Sequence, residues 1–481
     1  MRKEIILAVI FIVLFVGQAF GPAIAEEFKV KSTLDDQQDI FITIYNSNLG
    51  LVREIRKIKL AKDNNEVEFS DVASQIDPTS VSFKSFSNPN AVSIMEQNYE
   101  YDLLNPNKLM EKYLNKEVEL YEIQMVKDVP EEKVTKATLI SLNGGAIYKI
   151  GDKISIGYPG RVVLPKIPEN LIAKPTLRWL VKSDVETEQK IEVSYLTNGI
   201  NWKCDYVTVI DENDKNVDLT GWVTLDNKSG ATYKNAKLKL IAGDVHRVEP
   251  PTPKNIGYRL YAAEGKIGRE PQFEEKSFFE YHMYTLGRRT TIKDNETKQM
   301  TLLESVGVSV VKRFIYENEP LYYWFNSQDK QSKKIKVMLE VKNSKENHLG
   351  LPLPKGKIRV YKSDDDKSLQ FIGEDEIDHT PKDEKFRINI GNAFDIVGER
   401  RQTNYKVVVP SHTYEMSFEV KLRNHKKEDV IVTVIEHIYG DWKVIDKTHD
   451  FEKKDVNTVE FNVPVPKDQE VVVKYTVRIK V

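Results

Sequence analysis

The run Asp211-Glu212-Asn213-Asp214-Lys215-Asn216-Val217-Asp218 crowds carboxylate and amide oxygens into eight consecutive positions. A hard cation such as calcium gathers about six to eight oxygen ligands. Asp211, Asn213, Asp214, Asn216 and Asp218 are therefore candidate ligands of a calcium site. The run lacks the spaced Gly and the closing Glu of an EF-hand loop, and a polar hairpin turn between two strands accounts for the same residues. Asp364-Asp365-Asp366 and Glu374-Asp375-Glu376 form a second acidic neighbourhood. No cofactor other than calcium is suggested.

Other chemistry finds less support. The eight histidines are scattered singly, with no H-E-x-x-H and no paired cysteines to suggest zinc. Neither a G-x-S-x-G elbow nor a Gly-rich phosphate cradle is present, so no catalytic residue is assigned and a non-enzymatic protein is expected. A pair of glycosidase carboxylates is defined by its separation in space. A secreted hydrolase acting on envelope glycan or peptide through such a pair is accordingly the alternative. Cys204 is the single cysteine; on an alternating segment it reads as a buried structural thiol. Aromatic residues make up 10% of the chain, and Leu321-Tyr322-Tyr323-Trp324-Phe325 is the densest run for stacking on sugars. Trp179, Trp202, Trp222 and Trp442 lie within alternating segments, where burial is expected.

The elements that would position these residues are strands. Ile191, Val193 and Tyr195 alternate with polar neighbours, as do Ile335, Val337, Leu339 and Val341 against Lys336, Met338 and Glu340. Val471 to Val481 alternates most regularly. Period two means one covered and one solvated face, the pattern of antiparallel sandwiches. Asn143-Gly144-Gly145, Asn198-Gly199 and Lys228-Ser229-Gly230 supply turns between the runs. One helix is expected, capped by Asn105 and opened by Pro106, with Leu109, Met110, Tyr113 and Leu114 on one stripe.

The fold class expected is all-β: multi-domain antiparallel β-sandwiches, with a small β-barrel-like module and one short helix in the N-terminal domain. Residues 1–25 form a signal peptide and 26–115 an N-terminal β domain. Residues 116–172 form the barrel-like module and 173–329 a central β region. An irregular linker over 249–276, opened by Glu249-Pro250-Pro251-Thr252-Pro253, interrupts that region, and 330–481 close the chain as a sandwich.

Bulk properties narrow the class further. The 481 residues exceed one compact core, and 40% hydrophobic with 30% charged residues fits a globular protein. The net charge of −2, from 71 basic and 73 acidic residues, argues against a nucleic-acid partner. Met1-Arg2-Lys3, the apolar run Ile5–Val16 and Ala23-Ile24-Ala25 form a signal-peptide pattern, so export to the periplasm, the cell surface or the medium is expected. The membrane would be met only through that segment, if it stays uncleaved.

Several stretches together carry a family resemblance. Ile44-Tyr45-Asn46-Ser47-Asn48-Leu49-Gly50-Leu51-Val52-Arg53-Glu54 and Ile76-Asp77-Pro78-Thr79-Ser80-Val81 come first. Lys174-Pro175-Thr176-Leu177-Arg178-Trp179, Leu219-Thr220-Gly221-Trp222 and Leu351-Pro352-Leu353-Pro354-Lys355-Gly356 follow in order. The chain resembles proteins carrying domain of unknown function 4139, distantly tied to those called mucoidy inhibitor A. The resemblance implies an exported, mainly β protein and brings no catalytic residue with it. The long coiled-coil insert of the mucoidy branch has no counterpart here. Packing explains the recurring segments: Leu351–Gly356 reads as an edge strand and turn, and Arg178 as lying over a ring or snorkelling. The expected function is a binding or structural module at the cell envelope, with an unknown envelope protein or polysaccharide as partner.

Overall fold

A computed structural model describes residues 28–100, 104–126, 129–168, 171–172, 174–243, 245, 272–321, 331–364 and 366–481. The signal segment, Tyr322–Phe325 and most of the 249–276 linker lie outside the described residues. Among the described residues strands dominate, arranged in four mostly antiparallel sheets, with one α-helix at Pro106–Lys112. The chain divides into two compact units, each gathered from separated segments: 1–38, 55–72 and 82–193 in the first, 39–54, 73–81 and 194–481 in the second.

The first unit holds a four-stranded sheet in the order Phe28–Ser32, Asp63–Ser70, Thr176–Ser183, Val92–Glu100. Its covered face buries Val67, Phe69, Leu177 and Val181 around Trp179, whose ring meets Phe69 and Phe83 edge-on. The indole N–H donates to Gln97 Oε1 at 2.9 Å, which satisfies the one polar atom of the ring. Arg178 points to the other face. Instead of covering a ring or snorkelling, it bridges strands, with Glu66, Glu68 and Glu100 at 2.8, 2.9 and 3.2 Å.

The barrel-like module expected over 116–172 is an open sheet. Its order is Lys153–Ile156, Ile147–Ile150, Val129–Ser141, Glu117–Val126, Arg161–Val163, antiparallel throughout, and the two outer strands do not pair. Closure needs the first and last strands to hydrogen-bond, and here they stand at opposite edges of the sheet. One face packs Val118, Leu120, Ala137, Leu139 and Tyr148 beneath Tyr113. The helix forms as its cap predicts, with Lys108 N–H donating to Asn105 Oδ1 at 3.0 Å.

In the second unit two very long strands, Glu296–Glu317 and Lys385–Val409, each change partners along their length. Glu296–Ser309 pairs with Asn216–Asn227, whereas Val310–Ile315 pairs with Gln331–Lys342 and Phe314–Glu317 with Val430–His437. The closing sandwich has Val420, Leu422, Val473, Tyr475 and Val477 on one layer and Val432, Val434, Phe461 and Val463 on the other, all in one core. Alternation over Val471–Val481 therefore predicted the buried face from Val473 to Ile479, whereas the terminal Val481 is exposed. Asn198-Gly199 also turns as expected: Gly199 has φ +75°, and a Cβ there would strike Gln75 and the Lys228 carbonyl.

Leu351–Gly356 differs from the expected edge strand. Pro352, Leu353 and Pro354 are buried, and Gly356 opens an interior strand, Gly356–Ser363, that pairs parallel with Ile200–Ile210. The prolines lack N–H groups, but their carbonyls are used: Tyr284 and Tyr206 hydroxyls donate to Pro352 O and Pro354 O at 3.0 and 2.7 Å. Cys204 is buried as predicted, and burial pushes its thiol up to about 12.

Candidate functional site

Five adjacent strands of the second unit build the candidate site, in the order Leu369–Ile377, Gly356–Ser363, Ile200–Ile210, Asn216–Asn227, Glu296–Glu317. Ile200, Trp202, Cys204, Tyr206 and Ile210 point to the covered face. The intervening residues Lys203, Asp205, Val207 and Val209 point outward, since side chains alternate across a strand. On neighbouring strands the register sets Trp222 opposite Asp205, and Tyr361 beside Val209 and opposite Phe371.

This outer face is only half covered. Trp202 is buried and donates its indole N–H to Ile241 O at 3.0 Å, whereas Trp222 is half-buried on the open side. Burial of Trp222 was expected, but alternation does not reveal which of two faces receives a second layer. Tyr361 and Phe371 meet edge-on at 5.7 Å between centroids, and Phe371 is 55% exposed. Strand rise and spacing put Trp222 about 16 Å from Tyr361 on the same face.

A string of polar contacts crosses all five strands among these rings. Glu374 Oε2 lies 3.4 Å from Arg359 Nε, and Arg359 Nη1 lies 3.9 Å from Asp205 Oδ1. Asp205 Oδ2 accepts from the Thr224 hydroxyl at 2.8 Å, and Gln299 Nε2 donates to Thr224 Oγ1 at 3.1 Å. Asp205 and Thr224 are buried within this string, and they tie down the half-buried Arg359 guanidinium and the exposed Gln299 amide, with the exposed Glu374 carboxylate on the far side of Arg359. Such a surface can stack flat ring faces and hydrogen-bond the hydroxyls at their edges.

The acidic run lies at one end of the same face. Val209, Ile210, Asp211, Glu212, Asn216, Asp218 and Ser363 line a depression of about 260 Å³. Within it the oxygens already have partners. Asp211 accepts from Lys215 N–H and Asn216 Nδ2 at 2.8 and 3.0 Å, and Asp218 accepts from Gly307 N–H at 2.9 Å. Asp214, in the left-handed region with φ 57°, receives the ammonium groups of Lys312 and Lys362, each at 2.6 Å. Burial opposes its ionisation, but the two ammoniums outweigh that and hold the Asp214 carboxyl below its ordinary range. Asn213 is an exposed turn residue. Among the described residues no group of three or more His, Cys, Asp or Glu side chains is disposed to hold a metal ion.

The second acidic neighbourhood is divided. Glu374 and Glu376 meet Arg359, Lys357 and Lys355, while Asp375 accepts from Asn389 N–H at 2.7 Å. The aromatic run Leu321–Phe325 lies outside the described residues except for buried Leu321. Trp442 half-packs against the sandwich core and donates to Val456 O at 2.8 Å.

The family model for a domain of unknown function, DUF4139, matches residues 191–481, more than half of the chain. The chain belongs to the DUF4139 family. None of the curated proteins compared with it matches. The whole outer face, from Lys203 to Glu376, falls within the DUF4139 region, as do the Leu351–Gly356 crossing and the closing sandwich. Sequence reasoning located the depression through its acidic run but missed the rings beside it. The register that joins Trp222, Tyr361 and Phe371 has no local signature.

Proposed function

We propose that this DUF4139 protein is exported and acts at the cell envelope as a non-enzymatic module that binds polysaccharide through the outer face of the five-strand sheet. Export rests on the charged tip, short apolar run and Ala23-Ile24-Ala25 pattern at the start of the chain. The binding reading rests on one observation: Trp222, Tyr361 and Phe371 share a half-open sheet face with the fixed Glu374–Arg359–Asp205–Thr224–Gln299 string. A glycan stacks its apolar ring faces on aromatic side chains and directs its hydroxyls to such polar groups. Buried Asp205 positions Arg359 and Thr224, and the accessible Glu374, Arg359 and Gln299 are the groups suited to orienting a ligand.

Retention of the mature chain on purified envelope polysaccharides tests this reading, with calorimetry on any that bind. Trp222→Ala and Tyr361→Ala should each weaken binding by at least about tenfold while the far-ultraviolet circular dichroism stays that of the folded protein. Absence of binding to every polysaccharide fraction overturns it. Turnover of a bound glycan, abolished by Asp205→Asn or Glu374→Gln, would favour the hydrolase instead.

A further inference from the structure

A second surface, on the open five-stranded sheet of the first unit, is unlike the first. Its covered face carries the small core around Leu120 and Leu139, and the opposite face keeps large apolar side chains exposed. The register puts Ile123, Met125 and Val134 together near the tip of the Glu117–Val126/Val129–Ser141 hairpin, on that outward face. Ile154 and Ile156 project from the outer strand Lys153–Ile156 on the same face, at the far corner of the sheet. These five side chains are 48% to 88% exposed. Large apolar groups this open on a sheet face mark a contact surface.

Between the two apolar corners runs a band of charge that cancels. Glu117 and Glu119 face Lys136 and Lys149 there, Arg161 and Glu132 flank the tip itself, and two pairs are closed, Lys136–Glu117 at 2.9 Å and Arg161 with Glu132. A balanced band gives no attraction to an anionic bilayer and no repulsion from an identical surface. Strand rise and spacing separate the corners by about 25 Å. A two-fold axis through the band would lay each hairpin tip on the other copy's Ile154/Ile156 corner, so one contact is made twice, as an isologous interface requires.

We propose that this face joins two copies of the chain, the hairpin tip of each seated on the Lys153–Ile156 corner of the other. Sedimentation velocity on the mature chain over a hundredfold concentration range tests it. The expected result is a concentration-dependent dimer that Met125→Glu and Ile156→Glu each shift to monomer by at least about tenfold in dissociation constant, with unchanged far-ultraviolet circular dichroism. Loss through both single variants, at opposite corners, is the mark of the two-fold arrangement. A monomer at all concentrations, or a dimer indifferent to both variants, overturns the proposal. So does a monomer whose binding to phosphatidylethanolamine–phosphatidylglycerol vesicles is lost in Met125→Glu, which would assign the tip to a bilayer.

Discussion

Arg400 and Glu436 pair inside the closing sandwich, Nε to Oε1 at 3.1 Å, with side chains only 7% and 0% exposed. Asn318 Nδ2 donates to the same carboxylate oxygen at 2.9 Å, and the guanidinium lies 4.1 Å from the centre of the Phe418 ring. Burial raises the Glu436 carboxyl above its ordinary range, and Arg400 opposes that shift. A buried pair of this kind is costly to break from one side, because the remaining charge keeps its desolvation cost without its partner. Glu436→Leu or Arg400→Met alone should destabilise by about 3–5 kcal/mol, and the double variant by much less than their sum. Urea denaturation of the four proteins measures the coupling; additive losses would show that the pair is not interacting.

Glu340 predicts a pH dependence. Its carboxylate is buried beneath Arg313, Lys385 and Arg387, at 3.3, 3.1 and 3.1 Å. Burial pushes its pKa up, but the three cations overcome this and hold it at about 2, against an ordinary 4.5. A lowered carboxylate stabilises the fold fully above its ordinary value, and the contribution disappears as pH falls from about 4.5 through about 2. After screening of the exposed lysine and arginine partners this amounts to about 1–2 kcal/mol. Glu340→Gln should lose that amount at pH 7 and little at pH 2, read as the gap between two denaturation midpoints. A gap equal at both pH values would contradict the assignment.

The Leu351–Gly356 crossing should tolerate little change. A Cβ on Gly356 would lie 2.0 Å from the Cys204 carbonyl oxygen, so Gly356→Ala forces apart the parallel strands that meet there. The expected loss is about 3 kcal/mol or more, with protein recovered poorly or insoluble. Tyr206→Phe removes the hydroxyl that donates to Pro354 O and also meets the Cys204 thiol, and should cost about 1–3 kcal/mol with the fold retained. Thermal melts rank the two; equal losses would mean that the close backbone approach is not what fixes the glycine.

Calcium should leave the protein unmoved. Asp214 is held by two ammonium groups, and Asp211 and Asp218 by amide donors, so a cation would have to displace Lys312 and Lys362 before gathering oxygens. Melting temperatures in millimolar calcium and in chelator should agree, and a rise of several degrees with calcium would restore the acidic run as a metal site.

The sequence alone determined the kind of element and much of its location. Alternation fixed the strands and the buried sets around Tyr195, Leu339 and Tyr475, and Asn105-Pro106 fixed the helix start. Asn198-Gly199 fixed a turn, and the acidic run marked a hairpin beside a depression. Tertiary structure decided which of two alternating faces is covered. That choice left Trp222 half-open while Trp202 is enclosed, and buried Glu340 and Glu436 despite their charge. It also turned a proline-rich segment into an interior crossing and aligned Gln299, Thr224, Asp205, Arg359 and Glu374 into one string. The physical reason is that period two specifies two faces but not their neighbours, which are set by strand order and register between residues far apart in the chain.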